Sequence, residues 1–332
     1  MTTVPTAAEA AQSGEEAPDT GVQADDEAFR QLVARLSRQS VEKHFDAYAD
    51  VDWDAEEYRI DRADPRWELH PGLDTLADTD WYRSLPAEKR AEIGLDLVAS
   101  KMKLGLQFEN ILKRGLLEYA WRLPNGSPEF RYAYHEVIEE AQHSLMFQEF
   151  VNRSGFNPRG LRPAEMIGTG CIVSLGRRFP ELFFFFVLGG EDPIDHVQRR
   201  SLRSSEPVHP LLERIMRIHV TEEARHLSFA RHLLKRRVPE LGRIRRGVLA
   251  VATPLILASM AQMMLTPSSQ VVRKHGIPRE VLREAYVDNP AHRAEARASL
   301  RKVRRLAEEV GLVGPVYRRL CGALGLSEPS GT

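Results

Sequence analysis

An all-α fold, a four-helix bundle core with extra helices at both ends, is predicted for this 332-residue chain by three observations. Alternating β-branched runs are scarce, and no hairpin turns join them. Long stretches carry apolar residues at helical spacing. The frame Glu139-Glu140-Ala141-Gln142-His143 returns as Glu222-Glu223-Ala224-Arg225-His226, an i, i+3 Glu-x-x-His pair each time.

Residues 1–27 are rich in Ala, Thr, Glu and Asp and poor in large apolar side chains. They read as a disordered acidic tail that buries too little surface to order itself. No basic region followed by an apolar run is present, so no secretory signal is expected. Residues 28–332 are expected to form a single helical domain, with the bundle over about 88–237. Residues 28–80, with Trp53 and Trp67, and then Trp81, read as a helix and irregular cover.

Ala87 to Arg122 has Ile93, Leu97, Leu104, Phe108, Ile111 and Leu112 at helical spacing. Glu129 to Val151 does the same with Tyr132, Val137, Leu145, Phe147 and Phe150. Asn125-Gly126 lies between them, in a helix–helix loop. Glu109 lies 15 residues before Pro124 (124 − 109), and Glu140 lies 12 after Pro128 (140 − 128). With the same rise per residue on two antiparallel helices, both carboxylates sit near one height. The second half repeats the construction: Glu181 to Arg203, with Pro193 expected to kink or break it, a loop over 204–210, then Leu211 to Arg237. Gly155 to Gly170 reads as a loop joining the halves. Val248 to Leu265 reads as a buried core helix, because Thr253, Pro254, Ser259 and Gln262 interrupt any membrane span; Phe183 to Leu188 is too short for one. A last helical pattern runs from Ala291 to Val310, stopped by Gly311 and Gly314.

Hydrophobic residues make up 42% of the chain and the net charge is −1, so no global field recruits nucleic acid or an anionic membrane. Arg236-Arg237 and the arginines of 243–246 read as solvated helix faces. Two cysteines, Cys171 and Cys321, make neither a disulfide framework nor a thiolate metal site, which fits a reducing, cytoplasmic setting. A homodimer is compatible with the sequence.

In four-helix proteins that hold two irons or manganese ions, two helices carry Glu-x-x-His and the other two each carry a lone Glu. Here Glu109 precedes Glu140 by 31 residues (140 − 109), and Glu191 precedes Glu223 by 32 (223 − 191). Hard oxygen donors with a few imidazoles and no thiolate suit iron or manganese. Glu140 and Glu223 read as bridges, His143 and His226 as terminal nitrogens, and Glu109 and Glu191 as terminal carboxylates. His219 lies one turn before Glu223 on the same face and reads as a third imidazole. Glu139 and Glu222 turn away from the metals and are candidates to accept a hydrogen bond from a ligand histidine on a neighbouring helix. Glu136 reads as a decoy ligand, Asp192 and Asp195 as outer partners, and Tyr132 and Tyr134 as core. Phe183 to Phe186 near Glu191 read as ordinary core, or as the lining for an apolar substrate.

These residues resemble the AurF-type p-aminobenzoate N-oxygenases, non-haem diiron enzymes with a ferritin-like helical core. The resemblance runs from about residue 90 to 235, and more weakly to the C-terminus. His219, Glu223 and His226 match the family's His-x-x-x-Glu-x-x-His run, and Phe108-Glu109-Asn110, Glu140-Ala141-Gln142-His143 and Leu188-Gly189-Gly190-Glu191 match its other ligand positions. The resemblance implies seven ligands: Glu109, Glu140, His143, Glu191, His219, Glu223 and His226. It implies two iron ions (manganese as the alternative), O2 as co-substrate, and oxygenation of an arylamine through hydroxylamine to nitro. A C-terminal arginine for a substrate carboxylate is implied too, with Arg297, Arg301 and Arg304 as candidates. Lys101 and Phe108 depart from what an aminobenzoate pocket calls for. A diiron hydroxylase or desaturase acting on C–H bonds, and an iron-storage or structural metal protein, are the competing readings. With no Gly-x-Gly-x-x-Gly fingerprint for a dinucleotide, electrons are expected from an external donor or reductase.

Overall fold

The computed structural model describes residues 20–327, and among them every regular element is helical. The chain begins there with α1 (Thr20–Glu42). Phe29, Leu32, Val33 and Leu36, spaced along one face, are buried, and α1 lies along two later helices, over 128–153 and 210–237. The sequence assigned residues 20–27 to the tail; the helix takes them in, and the rest of that stretch lies outside the described residues. Residues 43–86 form the irregular cover, with short 3-10 turns and α2 (Asp80–Arg83). Trp53 and Trp67 are its buried anchors. The indole N–H groups of Trp53 and Trp67 donate to the carbonyls of Ala47 and Asp61, so each ring is buried without a lost hydrogen bond.

The bundle is built from α3 (Ala87–Ala120), α4 (Pro128–Arg153), α6 (Pro180–Arg203) and α7 (Pro210–Arg237), with α5 (Pro163–Arg178) inserted between the two pairs. Pro128, Pro163, Pro180 and Pro210 each open a helix, where the missing N–H costs nothing. After α7 come α8 (Arg243–Leu265), α9 (Ser269–His275), α10 (Arg279–Leu282), a π turn over Arg283–Val287, α11 (Pro290–Ser299), α12 (Arg301–Glu309) and α13 (Pro315–Ala323).

Four expectations change. The Gly155–Gly170 loop is shorter, because α5 starts at Pro163, where Glu165 accepts from the Arg162 N–H and closes the first turn. Pro193 lies inside an unbroken α6. The missing Cβ atoms of Gly189 and Gly190, just before it, leave room for Ile256 and Leu257 of α8 and for the Phe108 ring. The pattern from Ala291 to Val310 is two helices that break at Leu300, and Gly314 precedes a further helix, α13. Finally, α8 is buried on one side only: Leu249, Leu257 and Met260 enter the core, while Val248, Val251 and Leu255 are exposed. Its length and composition would suffice to cross a membrane, but its inner side packs on α6 and α13.

Close approach of α5 to α3 depends on Gly176. A Cβ at Gly176 would lie 2.0 Å from the Gly115 carbonyl oxygen. Gly176→Ala gains about 1 kcal/mol of helix propensity. Overpacking against backbone costs about 1–3 kcal/mol and should win, so urea unfolding is expected to show a net loss of stability.

Candidate metal centre

Four helices deliver one buried cluster. Glu109 comes from α3, Glu140 and His143 from α4, Glu191 from α6, and His219, Glu223 and His226 from α7. All seven are at most 1% exposed. The α4 and α7 frames face each other. Glu140 reaches both imidazoles, at 3.1 Å from His143 Nδ1 and 3.0 Å from His226 Nδ1. Glu223 does the same, at 3.1 Å from His226 Nδ1 and 3.7 Å from His143 Nδ1. These two carboxylates are therefore the ones that face both imidazoles at once. His219 Nε2 lies 3.6 Å from Glu109 and 3.8 Å from Glu223, and donor atoms of Glu191, His219 and Glu223 lie within 4.8 Å of one another.

Both Glu-x-x-His imidazoles turn Nδ1 inward and Nε2 outward. His143 Nε2 meets Glu222 at 2.9 Å, and His226 Nε2 meets Glu139 at 2.6 Å. The exchange is reciprocal: each frame's first glutamate accepts from the other frame's histidine, as the spacing suggested. Arg225 binds Glu139 at 2.8 Å and reaches Glu222 at 3.5 Å, and the backbone N–H of Phe45 also donates to Glu222. Burial alone would raise Glu139, but His226 and Arg225 hold it at about 2. An anionic acceptor on Nε2 fixes the tautomer that leaves Nδ1 free for a cation. Glu139→Gln or Glu222→Gln is therefore expected to weaken iron binding about 10- to 100-fold, with the far-UV circular dichroism unchanged; equilibrium titration of the metal-free chain measures it.

The rest of the cluster fits a cation. Both oxygens of Glu109 and Glu191, one oxygen each of Glu140 and Glu223, and both ring nitrogens of His219 have no hydrogen-bond partner. Buried polar atoms are rarely left so. Burial, and then the neighbouring carboxylates, push Glu109, Glu191 and Glu223 above the usual range. Glu140 goes the other way despite burial, held down by Glu109 and the imidazoles. Burial lowers His219, and His143 lowers it further. Seven oxygen and imidazole donors with no thiolate match hard or borderline divalent ions such as iron and manganese.

Two neighbours join the cluster, one of which, Lys113, the sequence reading did not single out. Glu136, set aside as a decoy, is buried, and its carboxylate clusters with Glu140 and His226; burial pushes it up to about 8. Its position one turn before Glu140 was the available signal. Lys113, one turn after Glu109, donates to the Glu140 carbonyl at 3.1 Å and to the Ser144 hydroxyl. Asp192 and Asp195 are drawn away into ion pairs with Arg231 and Arg199. Tyr132 is core against Phe229, whereas Tyr134 is exposed. Phe183, Phe184 and Phe185 are core as expected.

A cavity of about 230 Å³ adjoins the cluster. Gly105, Phe147 and Pro193 are among its lining residues, and the Phe147 ring lies 5.5 Å from that of His219. Its cationic groups are Arg66, Lys101 and Arg200. Arg297, Arg301 and Arg304 are not among the lining residues; of α11 and α12 only Glu295, on α11, reaches it.

A second grouping, Glu92, Asp96 and His275, has metal-like spacing. Its charge is already met by protein cations, since Arg62 and Lys274 both bind Glu92 and Asp96.

Comparison with known proteins agrees with this geometry. Uncharacterized proteins of Mycobacterium tuberculosis and Mycobacterium bovis are 41% identical over 302 residues, covering 90% of this chain and 88% of each relative. No solved structure gives a significant match. The family model described as P-aminobenzoate N-oxygenase AurF matches residues 26–311, most of the chain. The chain therefore belongs to the AurF p-aminobenzoate N-oxygenase family.

Proposed function

We propose that this chain is an O2-dependent non-haem oxygenase that holds two iron ions in the four-helix cluster and N-oxygenates an arylamine. The observation that carries the reading is the convergence of four glutamates and three histidines, most of their inward atoms lacking any protein partner. Glu140 and Glu223 would bridge the ions, with His143, His226, His219, Glu109 and Glu191 as the remaining ligands. Bound iron would supply the redox chemistry with O2. The protein's part is to hold the ions, orient a small-molecule substrate in the adjoining cavity and exclude water. Manganese is the alternative occupant on the same donors. Electrons come from a separate donor or reductase, and the setting is cytoplasmic.

The test uses the iron-loaded chain, a chemical reductant and 18O-labelled O2 with a panel of arylamines. Label in a hydroxylamine or nitro product supports the reading. A second reading, C–H hydroxylation or desaturation of an apolar substrate, draws on one observation. Phe108 and Phe186, with rings 5.2 Å apart beside Glu109, close the end of a separate apolar cavity. Label in an acyl substrate and in no arylamine would select it. Iron uptake far above two per chain would point instead to storage.

A further inference from the structure

We infer that the outer face of α5 and α8 docks the protein on anionic phospholipid bilayers. The inference stands independently of the metal reading. Three segments meet on this side of the molecule: residues 166–180, 241–272 and 310–327. None of the chain's 47 carboxylates falls in any of them. α8 packs against α13, and α5 and α8 together line a cavity of about 350 Å³.

The face is apolar as well as acid-free. Along α8, Ile244, Val248, Val251 and Leu255 recur at spacings of four, three and four, so they form one stripe. Ile244 is 85% exposed, and Ile167 on α5 is 83% exposed with Met166 beside it. The uncharged run continues along α8 to Gln262. An apolar stripe of this kind on a soluble surface marks a contact.

The charges around it say with what. Arg178, Arg243, Arg245, Arg246 and Arg318 gather where the end of α5, the start of α8 and the start of α13 meet. Arg245 donates to the Arg178 carbonyl, and Arg246 to the carbonyls of Val310 and Gly311. Among the described residues none of the five is paired with a carboxylate. Of the carboxylates that border the three segments, Glu165 is held by Arg162, Glu181 by Arg237, and Glu309 by Lys235 and Arg305, while Glu240 is exposed just ahead of α8. A second copy of this chain seated here would bring more arginine and no acid to receive it. An anionic lipid surface supplies negative charge for the arginines and an acyl layer for the stripe, the two components of interfacial binding. The cavity reaches this surface, since Leu255 and Ser259 belong both to its lining and to the outer side of α8. Its lining is apolar apart from Glu165, Thr169 and Ser259, and includes the buried Phe108 and Phe186.

The full-length chain, iron-loaded, is sedimented with vesicles of phosphatidylcholine alone or with added phosphatidylglycerol. Binding to the phosphatidylglycerol vesicles, weakened by salt, is expected. Arg243→Gln and Arg245→Gln should each weaken it about fivefold, from roughly 1 kcal/mol per basic residue at the surface. The double variant Ile244→Glu/Val251→Glu should abolish it, with helicity and iron content unchanged. Absence of phosphatidylglycerol-dependent binding, or binding that survives both sets of variants, overturns the proposal. So does a dimer in sedimentation velocity that Ile244→Glu/Val251→Glu dissociates, because a second copy then covers the face.

Discussion

Glu140→Ala is expected to abolish paired metal binding, with iron affinity falling by more than the ~100-fold that loss of an outer partner costs. Glu140 stands 3.1 and 3.0 Å from the two inward Nδ1 atoms, so its removal affects both metal positions at once. The readout separates this from misfolding. Metal that binds the folded chain alone stabilises it by ~4 kcal/mol at a thousand times Kd. The wild-type chain should gain a clear rise in melting temperature on iron loading, and Glu140→Ala should show none relative to its own metal-free melt. Glu140→Asp, which keeps the charge on a shorter arm, should recover part of the rise. An undiminished rise in Glu140→Ala would remove Glu140 from the site.

The second large effect lies away from the cluster. Asp96 on α3 is fully buried and accepts from Arg62 at 2.9 Å, Lys274 at 2.5 Å and His275 at 2.7 Å. Arg62 comes from the cover and the other two from α9, so one carboxylate ties both to the bundle. Asp96→Ala leaves His275 without its carboxylate partner and Arg62 and Lys274 with Glu92 alone. Breaking a buried pair from one side costs about 3–5 kcal/mol, and chemical unfolding should show a loss of that order. The pH dependence has a definite sign. Burial pushes Asp96 up, but His275, Lys274 and Arg62 outweigh it and hold the carboxyl below its unfolded value of 3.8. Glu92, in the same cluster, is held at about 2. A depressed folded pKa gives stability that is present above the unfolded value and lost as pH falls through the folded one. As pH falls below about 4 the wild type should therefore lose stability more steeply than Asp96→Asn. Parallel acid titrations would contradict this account of the clamp.

What the sequence revealed followed from repetition. Two near-identical frames on separate helices, each with a lone glutamate at nearly the same interval before it, placed six of the seven donors; His219 came from its spacing one turn before Glu223, and the one-residue offset placed Glu139 and Glu222 on the far side of the imidazoles. Position on a helix is set by local geometry, so it can be read along the chain. Glu136 and Lys113 were harder. A residue one turn from a ligand shares its face, but in a chain with 28% charged residues many such residues only meet solvent, and burial decides between the cases. Asp192 went the other way, because Arg231, 39 residues further on, claims it. The α5 helix was hidden by Gly168 and Gly170, which are exposed and cost little packing there. Pro193 suggested a break, yet α6 runs through it from Pro180 to Arg203. The carboxylate-free face of α5, α8 and α13 is spread over three separate segments, and only folding gathers it.

The central claim is two metal positions bridged by Glu140 and Glu223. Anomalous diffraction at the iron edge from crystals of the iron-loaded chain tests it most directly. Two peaks roughly 3.5–4 Å apart, the spacing of two-metal sites, should lie between α4 and α7 with both of these carboxylates in contact. A single peak, or iron found instead beside Glu92, Asp96 and His275, would contradict it.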